Sequence, residues 1–461
     1  MLAEESPRPS GRRSVMRKSL ASASLLALLS AGGAFAQECA DPVEITWSTI
    51  AGFYTDAMAN FVKSFEDDNC AKVTVVNIDN SQLYNKQVIE MVGQTGAYDV
   101  VTLETAEKAE FAENGFILPM TDFFADKQEL LNDVSPTLRA MTVEYKGDVW
   151  GLPYYTYTAG MFIRQDLIDD AGEQAAFKAK YGYDLADPTT WEQHRDIAEF
   201  FTRKAGETLK GEVLTKDFYG VGLMAGPFPE IQDELSAPLW GMGSDWLTAE
   251  GTVPVDDVEK VLGEYVEELK FAPPAALTVT YDGVMNQMKD CQIAMTHGFF
   301  LDQWPNAVKT EDNCPGAKVA AIEAPGKKAY VGGFLLAVSS SSAQPDMAMK
   351  FVAHIGGYEI QKQFAELGGA STLTSVLTDP AFATSERRAT NGQYATLNMI
   401  FDSMSGFSSN LFKTPFGAKI YNTMQIPLQA AAAGQITVRE AAEQLAADVA
   451  KICGGPCPIA N

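Results

Sequence analysis

The sequence predicts an α/β protein that folds into two or more lobes, and two observations lead to this prediction. A chain of 461 residues, of which 46% are hydrophobic, is too long to fold around one hydrophobic core. From residue 43 onwards, short apolar runs with strand character alternate with segments whose apolar residues recur at helical spacing. This alternation is typical of parallel sheets whose strands are joined by right-handed helical crossovers.

The first strands and helices follow one another without interruption. The pattern predicts strands over 43–47, 72–78 and 99–103, and helices over 55–68 and 82–95. In such sheets, ligands bind beyond the carboxyl ends of the strands. Here those ends carry the segment 49–54 and the pair Glu104 and Thr105.

The later part of the chain is more helical, although strands return. Helices are predicted over 190–202, where Thr190 serves as the N-cap, over 255–271, from residue 345, from residue 358, and as a long tail over 411–453. Strands are predicted over 160–164, 219–224, 293–296, 319–322 and 334–338.

The first 36 residues have the organisation of a secretory signal peptide. Basic residues within 12–18 precede an apolar run at 20–29, and small residues at 34 and 36 mark a cleavage site. We therefore expect residues 1–36 to be removed and the protein to be released into the periplasm. The pair Arg12-Arg13 resembles a twin-arginine signal only loosely, and Met16 is an alternative start, so the general secretory route is favoured. No later apolar run reaches the ~18 residues of a membrane-spanning helix, so no membrane insertion is expected.

Charge and motifs exclude several classes of function. The formal charge of -25, without any basic stretch, argues against nucleic acid as a partner. The three histidines lack the spacing of a metal site, and no nucleophile elbow or dinucleotide-binding glycine pattern is complete. The sequence therefore predicts no catalytic residue, no metal and no cofactor.

Six cysteines in an exported chain predict disulfide bonds. Six cysteines allow fifteen connectivities, and the short loops between sequence neighbours favour neighbour pairing. The expected pairs are Cys39 with Cys70, Cys291 with Cys314, and Cys453 with Cys457.

The segment 145–157 concentrates aromatic rings and hydroxyls around a Gly-Leu-Pro sequence. Rings of this kind stack on the apolar face of a ligand while hydroxyls bond to its rim, although such rings also pack hydrophobic cores. Tyr155 and Tyr157 are its candidate ligand contacts. Trp240, Trp246 and Trp304 are interpreted as core residues rather than as site residues.

Seven segments, in one order and across most of the chain after residue 37, resemble those of a known family. They lie at 44–47, 97–101, 150–172, 190–192, 291–298, 331–337 and 434–441. The chain thus resembles the extracellular solute-binding proteins of bacterial ABC transporters, in the group of maltodextrin-, polyol- and glycerol-phosphate-binding proteins. The resemblance implies two α/β lobes, a hinge of several crossing segments, and a ligand cleft between the lobes that closes on the solute.

The resemblance also implies the limits of the two lobes. Lobe 1 would comprise residues 38–157 and 325–357, and lobe 2 would comprise residues 158–324 and 358–461. Each expected disulfide then lies within one lobe, so none would lock the hinge.

The cleft residues that the resemblance implies are rings and hydrogen-bonding groups, which suit the apolar faces and hydroxyl rims of sugars. They are Thr49, Phe53, Tyr54, Glu104, Thr105, Tyr155, Tyr157, Phe228, Phe300, Gly333, Phe334 and Tyr421. Maltodextrin binders frequently have Trp at the positions of Phe300 and Tyr421, so a smaller sugar or a polyol is favoured here. Glu104 has an alternative role as a cap of the helix that follows it.

The predicted function is therefore the substrate-binding component of an ABC importer. It would act as a monomer, capture a carbohydrate or polyol, and deliver it to an inner-membrane permease. Two alternatives remain open. One is a secreted carbohydrate-active enzyme with an unidentified pair of carboxylates. The other is a binder of a charged solute such as a sugar phosphate, for which Arg164 and Lys108 are the candidate cations.

Overall fold

Strands and helices alternate along the computed structural model, which describes residues 39, 41–382 and 392–460, without the side chains of residues 53, 54 and 392. The predicted signal peptide, residues 1–36, lies outside the described residues. The chain divides into two units, Met1–Asp41 and Pro42–Asn461, and every strand and helix given below belongs to the second unit. The strands are β1 Val43–Ile50, β2 Ala71–Ile78, β3 Val100–Glu104, β4 Glu144–Tyr145, β5 Asp148–Val149, β6 Leu152–Thr156, β7 Ala159–Arg164, β8 Thr208–Leu209, β9 Glu212–Val213, β10 Tyr219–Gly222, β11 Ile293–Thr296, β12 Phe299–Phe300, β13 Val319–Ile322 and β14 Gly333–Val338.

The helices are mostly short, and they cover the two larger sheets. They are α1 Phe53–Asn69, α2 Asn80–Gly93, α3 Lys108–Glu113, α4 Gln128–Asp133, α5 Pro136–Thr142, α6 Gln165–Ile168, α7 Ala171–Tyr181, α8 Trp191–Phe201, α9 Glu230–Gly241, α10 Val255–Glu268, α11 Tyr281–Lys289, α12 Trp304–Ala307, α13 Thr310–Asn313, α14 Pro345–Ile355, α15 Tyr358–Glu366, α16 Thr374–Leu377, α17 Gly392–Ser403, α18 Gly417–Ala432 and α19 Val438–Cys453. Single 3₁₀ turns lie at Leu269–Phe271, Pro274–Leu277, Leu301–Gln303, Pro325–Lys327 and Asn410–Lys413.

The first sheet has the order β2-β1-β3-β14-β6. β1 pairs in parallel with β2 over its whole length and also with β3, which confirms the predicted parallel opening. β14 runs antiparallel between β3 and β6. Trp47 anchors β1 in the interior, because its fully buried indole donates from Nε1 to Thr102 Oγ1 at 2.9 Å.

The second sheet has the order β10-β11-β7-β12, and β13 also pairs with β7. β10 and β11 are parallel, whereas β7 runs antiparallel to β11, β12 and β13. All six residues of β7 are buried, as expected for a strand with helices on both faces. The strands predicted at 293–296 and 319–322 have those limits in the structure.

Two connections join the sheets and run side by side. The first is Tyr157-Thr158 between β6 and β7, and the second is the segment between β13 and β14. Tyr157 N donates to Gly332 O at 3.1 Å, and Ala159 N donates to Tyr330 O at 2.8 Å. The chain therefore has the two-lobed α/β fold with a hinge of several segments, in agreement with the prediction.

The helix predictions are correct for α8 and for the helical tail. Thr190 caps α8 by accepting from Gln193 N at 3.2 Å. The helical tail predicted over 411–453 consists of a 3₁₀ turn and two helices, α18 and α19, which a turn separates. The second helix begins at a capping box, in which Thr437 and Glu440 bond to each other's backbone N–H groups, and this start signal interrupts the apolar periodicity.

The disulfides follow the predicted pairing. Cys291–Cys314 and Cys453–Cys457 are bonded, with Cα–Cα distances of 5.8 and 5.1 Å. Cys39 and Cys70 are also disulfide-bonded. Because all six cysteines lie in the described residues, none of them is free and the other four pair with one another, Cys39 and Cys70 form the third disulfide. In the described part of the chain, no helix is long and apolar enough to cross a membrane.

Candidate functional site

Five aromatic side chains meet where the two connections run together. The ring of Tyr157 has its centroid 5.7 Å from Phe300 of β12, 6.2 Å from Tyr330 of the second connection, and 5.4 Å from Phe334 of β14. Tyr330 lies 6.2 Å from Tyr421 of α18. This aromatic cluster (Tyr157, Phe300, Tyr330, Phe334 and Tyr421) therefore takes members from both sheets and from both connections.

Two glycines give the aromatic cluster its shape. A Cβ added at Gly332 would lie 2.0 Å from the ring of Tyr157, so only glycine leaves room for that ring. Gly333 N donates to Thr105 Oγ1 at 3.1 Å, and Thr105 Oγ1 donates to Gly333 O at 3.2 Å. Thr105 and Gly333 thus hold the backbone that carries Phe334.

Three carboxylates accompany the rings and are called the carboxylate cluster: Glu104, Glu230 and Asp233. Glu104 ends β3 and stands opposite Phe334 in the register of β3 and β14. Glu230 and Asp233 lie in the first turn of α9. Asp233 is 1% exposed, and each of its carboxylate oxygens accepts from the Tyr421 hydroxyl at 2.9 Å.

Burial raises the pKa of each member of the carboxylate cluster, and repulsion from neighbouring carboxylates raises it further. Burial, followed by the negative charge of Glu230, raises the pKa of Glu104 to about 7. Burial likewise raises the pKa of Glu230 to about 7, against a backbone hydrogen bond and with a further contribution from Asp282. The pKa of Asp233 is well above its usual range, because burial and the neighbouring carboxylates outweigh the hydrogen bond from Tyr421. A charge that enters the site would therefore shift the pKa values of these carboxyl groups.

The three tyrosines of the aromatic cluster stay neutral. Burial is the main cause that raises the pKa of Tyr157, Tyr330 and Tyr421, and nearby carboxylates, among them Glu104 and Asp233, raise each pKa further. A neutral phenol both donates and accepts hydrogen bonds. The site therefore offers apolar ring faces, phenol hydroxyls and carboxyl oxygens, which together suit a polyhydroxy ligand.

The candidate cations for an anionic ligand are engaged elsewhere. Arg164 donates to Asp166 from Nε at 2.7 Å and from a terminal nitrogen at 2.9 Å. Lys108 Nζ donates to the carbonyl oxygens of Met141 and Glu144, both at 2.7 Å, and burial lowers its pKa to about 7. Among the described residues, no Arg or Lys contributes to the pKa shifts of Glu104 and Glu230.

The structure brings part of the implied ligand set together. Glu104, Tyr157, Phe300, Phe334 and Tyr421 belong to the two clusters, and Thr105 and Gly333 support them. Tyr155 adjoins the site, because its ring lies 6.1 Å from Phe334 and its hydroxyl donates to Asp302, in the 3₁₀ turn after β12. That these residues bind a ligand stays a prediction.

Other members of the implied set lie apart from the clusters. Thr49 is fully buried, and its hydroxyl lies 3.2 Å from Thr55 Oγ1 and 3.4 Å from the Tyr154 hydroxyl, inside the first sheet's layer. Phe228 precedes α9 and is 49% exposed. The side chains of Phe53 and Tyr54 lie outside the described residues.

Glu230, Asp233 and Tyr330 were absent from the implied set. Residues 231–240 of α9 are all buried, although Gln232, Asp233 and Glu234 are polar or charged. Charged residues in a sequence without clear periodicity suggest a solvated face, so burial of this helix was not predictable from its own pattern. Tyr330 directly precedes the Val331-Gly-Gly motif, and this position is the sequence feature that could have marked it as a site residue.

A second buried polar group consists of His194, His297 and Glu268. The rings of His194 and His297 are 5.1 Å apart, and His194 Nδ1 lies 3.0 Å from Glu268 Oε1. Two histidines that are distant in sequence are thus neighbours. Even so, within the described ranges no group of His, Cys, Asp and Glu could hold a metal ion.

Comparison with known proteins gives one family and several similar structures. Residues 48–362 match the family described as bacterial extracellular solute-binding protein. A mannitol-binding protein of Pseudomonas aeruginosa is 24% identical over 313 residues, a match that spans 65% of this chain and 65% of that relative.

The similar structures have low identity and nearly complete coverage. An ABC transporter solute-binding protein from Agrobacterium radiobacter K84 in complex with ribitol has a TM-score of 0.73 and 21% identity, over 89% of this chain and 99% of that one. A counterpart from Agrobacterium vitis S4 with bound D-mannitol has a TM-score of 0.66 and 20% identity, over 88% and 97%. A maltose-bound protein from T. maritima has a TM-score of 0.68 and 19% identity, over 89% and 100%. These likenesses establish the fold.

Proposed function

The chain belongs to the family of bacterial extracellular solute-binding proteins, and from this premise we propose that it captures a carbohydrate or polyol for an ABC importer. The observation that carries the proposal is the aromatic cluster with its carboxylates, assembled from both lobes where the chain crosses between them. Sugars and polyols present C–H faces that pack on rings and hydroxyls that bond to phenols and carboxylates. The bound mannitol and ribitol of similar proteins support a small polyhydroxy solute.

We propose the lobe limits with one adjustment. Lobe 1 takes residues 38–157 and 325–366, and lobe 2 takes 158–324 and 367–461. The helix α15 packs against α1 and α14 of lobe 1, so the return to lobe 2 comes after residue 366. Closure of the lobes about the two connections would enclose the solute, and the closed form would be the one that an inner-membrane permease recognises.

The proposed cellular setting follows from the N-terminal sequence. Residues 1–36 act as a signal peptide, the general secretory route exports the chain, and the protein works in the periplasm as a monomer. Mass determination of the exported protein would test this, since a chain that begins at residue 37 is expected.

Calorimetry tests the binding function. Purified protein, unfolded and refolded to remove any retained solute, is titrated with mono-, di- and trisaccharides and with polyols that include mannitol, ribitol and sorbitol. We expect saturable heat from at least one of them and no heat from sugar phosphates, because Arg164 and Lys108 are engaged elsewhere. Absence of heat from every carbohydrate and polyol would contradict the proposal.

Chromatography distinguishes a binder from the alternative, a carbohydrate-active enzyme. The protein is incubated for a prolonged period with the sugar that binds, and the mixture is then separated. We expect the sugar to be recovered unchanged, and any product that depends on the protein would overturn the binding-only function.

A further inference from the structure

The site has more hydrogen-bond acceptors than donors. Three side chains of the first two turns of α9, Glu230, Gln232 and Glu234, each have a buried oxygen that no described residue bonds to: Oε2, Oε1 and Oε1 in that order. Gln232 and Glu234 are 1% and 0% exposed, and Gln232 Nε2 donates to Tyr421 O at 2.9 Å. A buried acceptor without a donor costs free energy, so this part of the site calls for a ligand that donates.

The site also has more negative than positive charge. Glu104 and Glu230 raise the pKa of Asp233, and Asp282 raises that of Glu230. The titratable groups around the carboxylate cluster include these carboxyls, Glu107 beside Glu104, Glu234 and the tyrosines Tyr157, Tyr330 and Tyr421. A neutral polyol both accepts and donates hydrogen bonds, and it leaves the negative charge of the carboxylates uncompensated. An ammonium group has three donors, no acceptor and a positive charge.

The rings favour a cation as well. Tyr157 and Tyr330 are stacked at 24°, and Trp240 is stacked with Tyr330 at 6.2 Å and 11°. The negative potential of aromatic faces attracts ammonium groups, and sets of such rings hold organic cations in proteins. The net charge of -25 attracts cations to the protein over longer range.

We infer that the cleft selects a polyhydroxy solute that carries an ammonium group, such as an amino polyol or an amino sugar, over its neutral parent. This inference rests on the proposed function, since it concerns the same cleft. The ammonium group bonds to the carboxylate cluster, including the unbonded Glu230 Oε2, while the hydroxyls and C–H faces of the solute meet the tyrosines. The negative charge of the carboxylate cluster, and not the shape of the solute, causes the preference for the ammonium form over the neutral parent.

Matched pairs of solutes test the inference. Sorbitol is compared with 1-amino-1-deoxysorbitol, and glucose and galactose with glucosamine, galactosamine and their neutral N-acetyl forms, by calorimetry at pH 8 and pH 5.5. We expect the aliphatic amine to bind at least tenfold more tightly than sorbitol at pH 8. The ratio should fall at pH 5.5, where Glu104 and Glu230, whose pKa values are about 7, become protonated and neutral.

Variants show whether the carboxylates cause the preference. Glu230→Gln and Asp233→Asn should each lower the ratio of amine to neutral affinity at least threefold at pH 8. Glu359→Gln removes one charge from an exposed position of α15 and should leave the ratio unchanged. Thermal melting verifies that each variant is folded.

The outcomes separate this inference from the proposed function. A neutral member that binds as tightly as its amine, or more tightly, overturns the inference and leaves a carbohydrate or polyol binder. A ratio that Glu230→Gln and Asp233→Asn do not alter also overturns it. Absence of binding by every solute, amine or neutral, contradicts the inference and the proposed function together.

Discussion

Two groups of buried carboxylates in this protein are arranged in opposite ways. Just after β7 of the second sheet, Asp166 forms ion pairs with Arg164 at 2.7 Å and with Lys210 at 2.9 Å. Burial alone would raise the pKa of Asp166, but the hydrogen bonds and charges of Arg164 and Lys210 lower it. In the cleft, burial raises the pKa of Glu104 to about 7, and no described cation opposes it.

We infer from this difference that the two groups have separate roles. A buried carboxylate with cationic partners is a complete structural unit, and removing one partner leaves an uncompensated charge. The carboxylate cluster is incomplete by the same criterion, although it stands at the junction of both lobes. Proteins accept such local instability where a ligand completes the interactions. From this comparison we propose that Asp166 serves stability and that Glu104, Glu230 and Asp233 serve binding.

Removal of a cation that pairs with Asp166 should lower the stability of the protein without weakening solute binding. Arg164→Ala leaves Asp166 buried with Lys210 as its remaining cation, and we expect a loss of about 3 kcal/mol in the free energy of unfolding. Urea denaturation measures this loss. Solute affinity of the folded variant should stay within twofold of the wild type. A loss below about 1 kcal/mol would show that the ion pairs are not essential to the fold.

The pH dependence of stability should distinguish the two groups by sign. For Glu104 and Glu230, a pKa raised from 4.5 to about 7 favours the folded state at low pH. That stability is fully present below about pH 4.5 and is lost as the pH rises through 7, by an amount on the order of 3 kcal/mol for these coupled groups. Asp166, with its lowered pKa, contributes stability at neutral pH that is lost only in acid.

Denaturation of ligand-free protein between pH 4.5 and 8 checks this sign. Glu104→Gln should remove roughly half of the decrease in stability, whereas Glu359→Gln, on an exposed position, should not change it. If Glu104→Gln shows the same decrease as the wild type, the pKa of Glu104 is not the cause.

Changes to the aromatic cluster should weaken binding more than folding. Tyr157→Ala removes the ring that contacts Phe300, Tyr330 and Phe334, and we expect at least a tenfold loss of affinity by calorimetry. Gly332→Ala should have a similar effect, because its Cβ would lie 2.0 Å from the Tyr157 ring and displace it. An unaltered affinity in Tyr157→Ala would show that this ring packs the protein interior and does not contact the solute.

The smallest effect is expected at Phe228. This ring is 49% exposed and lies apart from both clusters, so Phe228→Ala should change the affinity less than threefold and the melting temperature by about 1 °C or less. A larger loss of affinity would show that Phe228 contacts the solute in solution.

The sequence predicted the fold far better than the site. Strands such as β11 and β13 are short, apolar and buried on both faces, so the apolar run in the sequence marks where each strand begins and ends. The site depends on long-range packing instead. Asp233 and Tyr421 are 188 residues apart yet share a hydrogen bond, and no local pattern predicts such a contact. Glu104 and Tyr157 were predictable because they lie at a strand end and at a connection.

The measurement that tests the central claim most directly is the affinity of Asp233→Asn for the solute that binds the wild type. Asp233 is 1% exposed, and its carboxylate accepts from the Tyr421 hydroxyl, a bond that an asparagine side-chain oxygen can also accept. The variant should therefore fold and be at least as stable as the wild type at pH 8. We predict an affinity at least tenfold weaker in calorimetry. A folded variant with wild-type affinity would place the solute elsewhere and contradict the account.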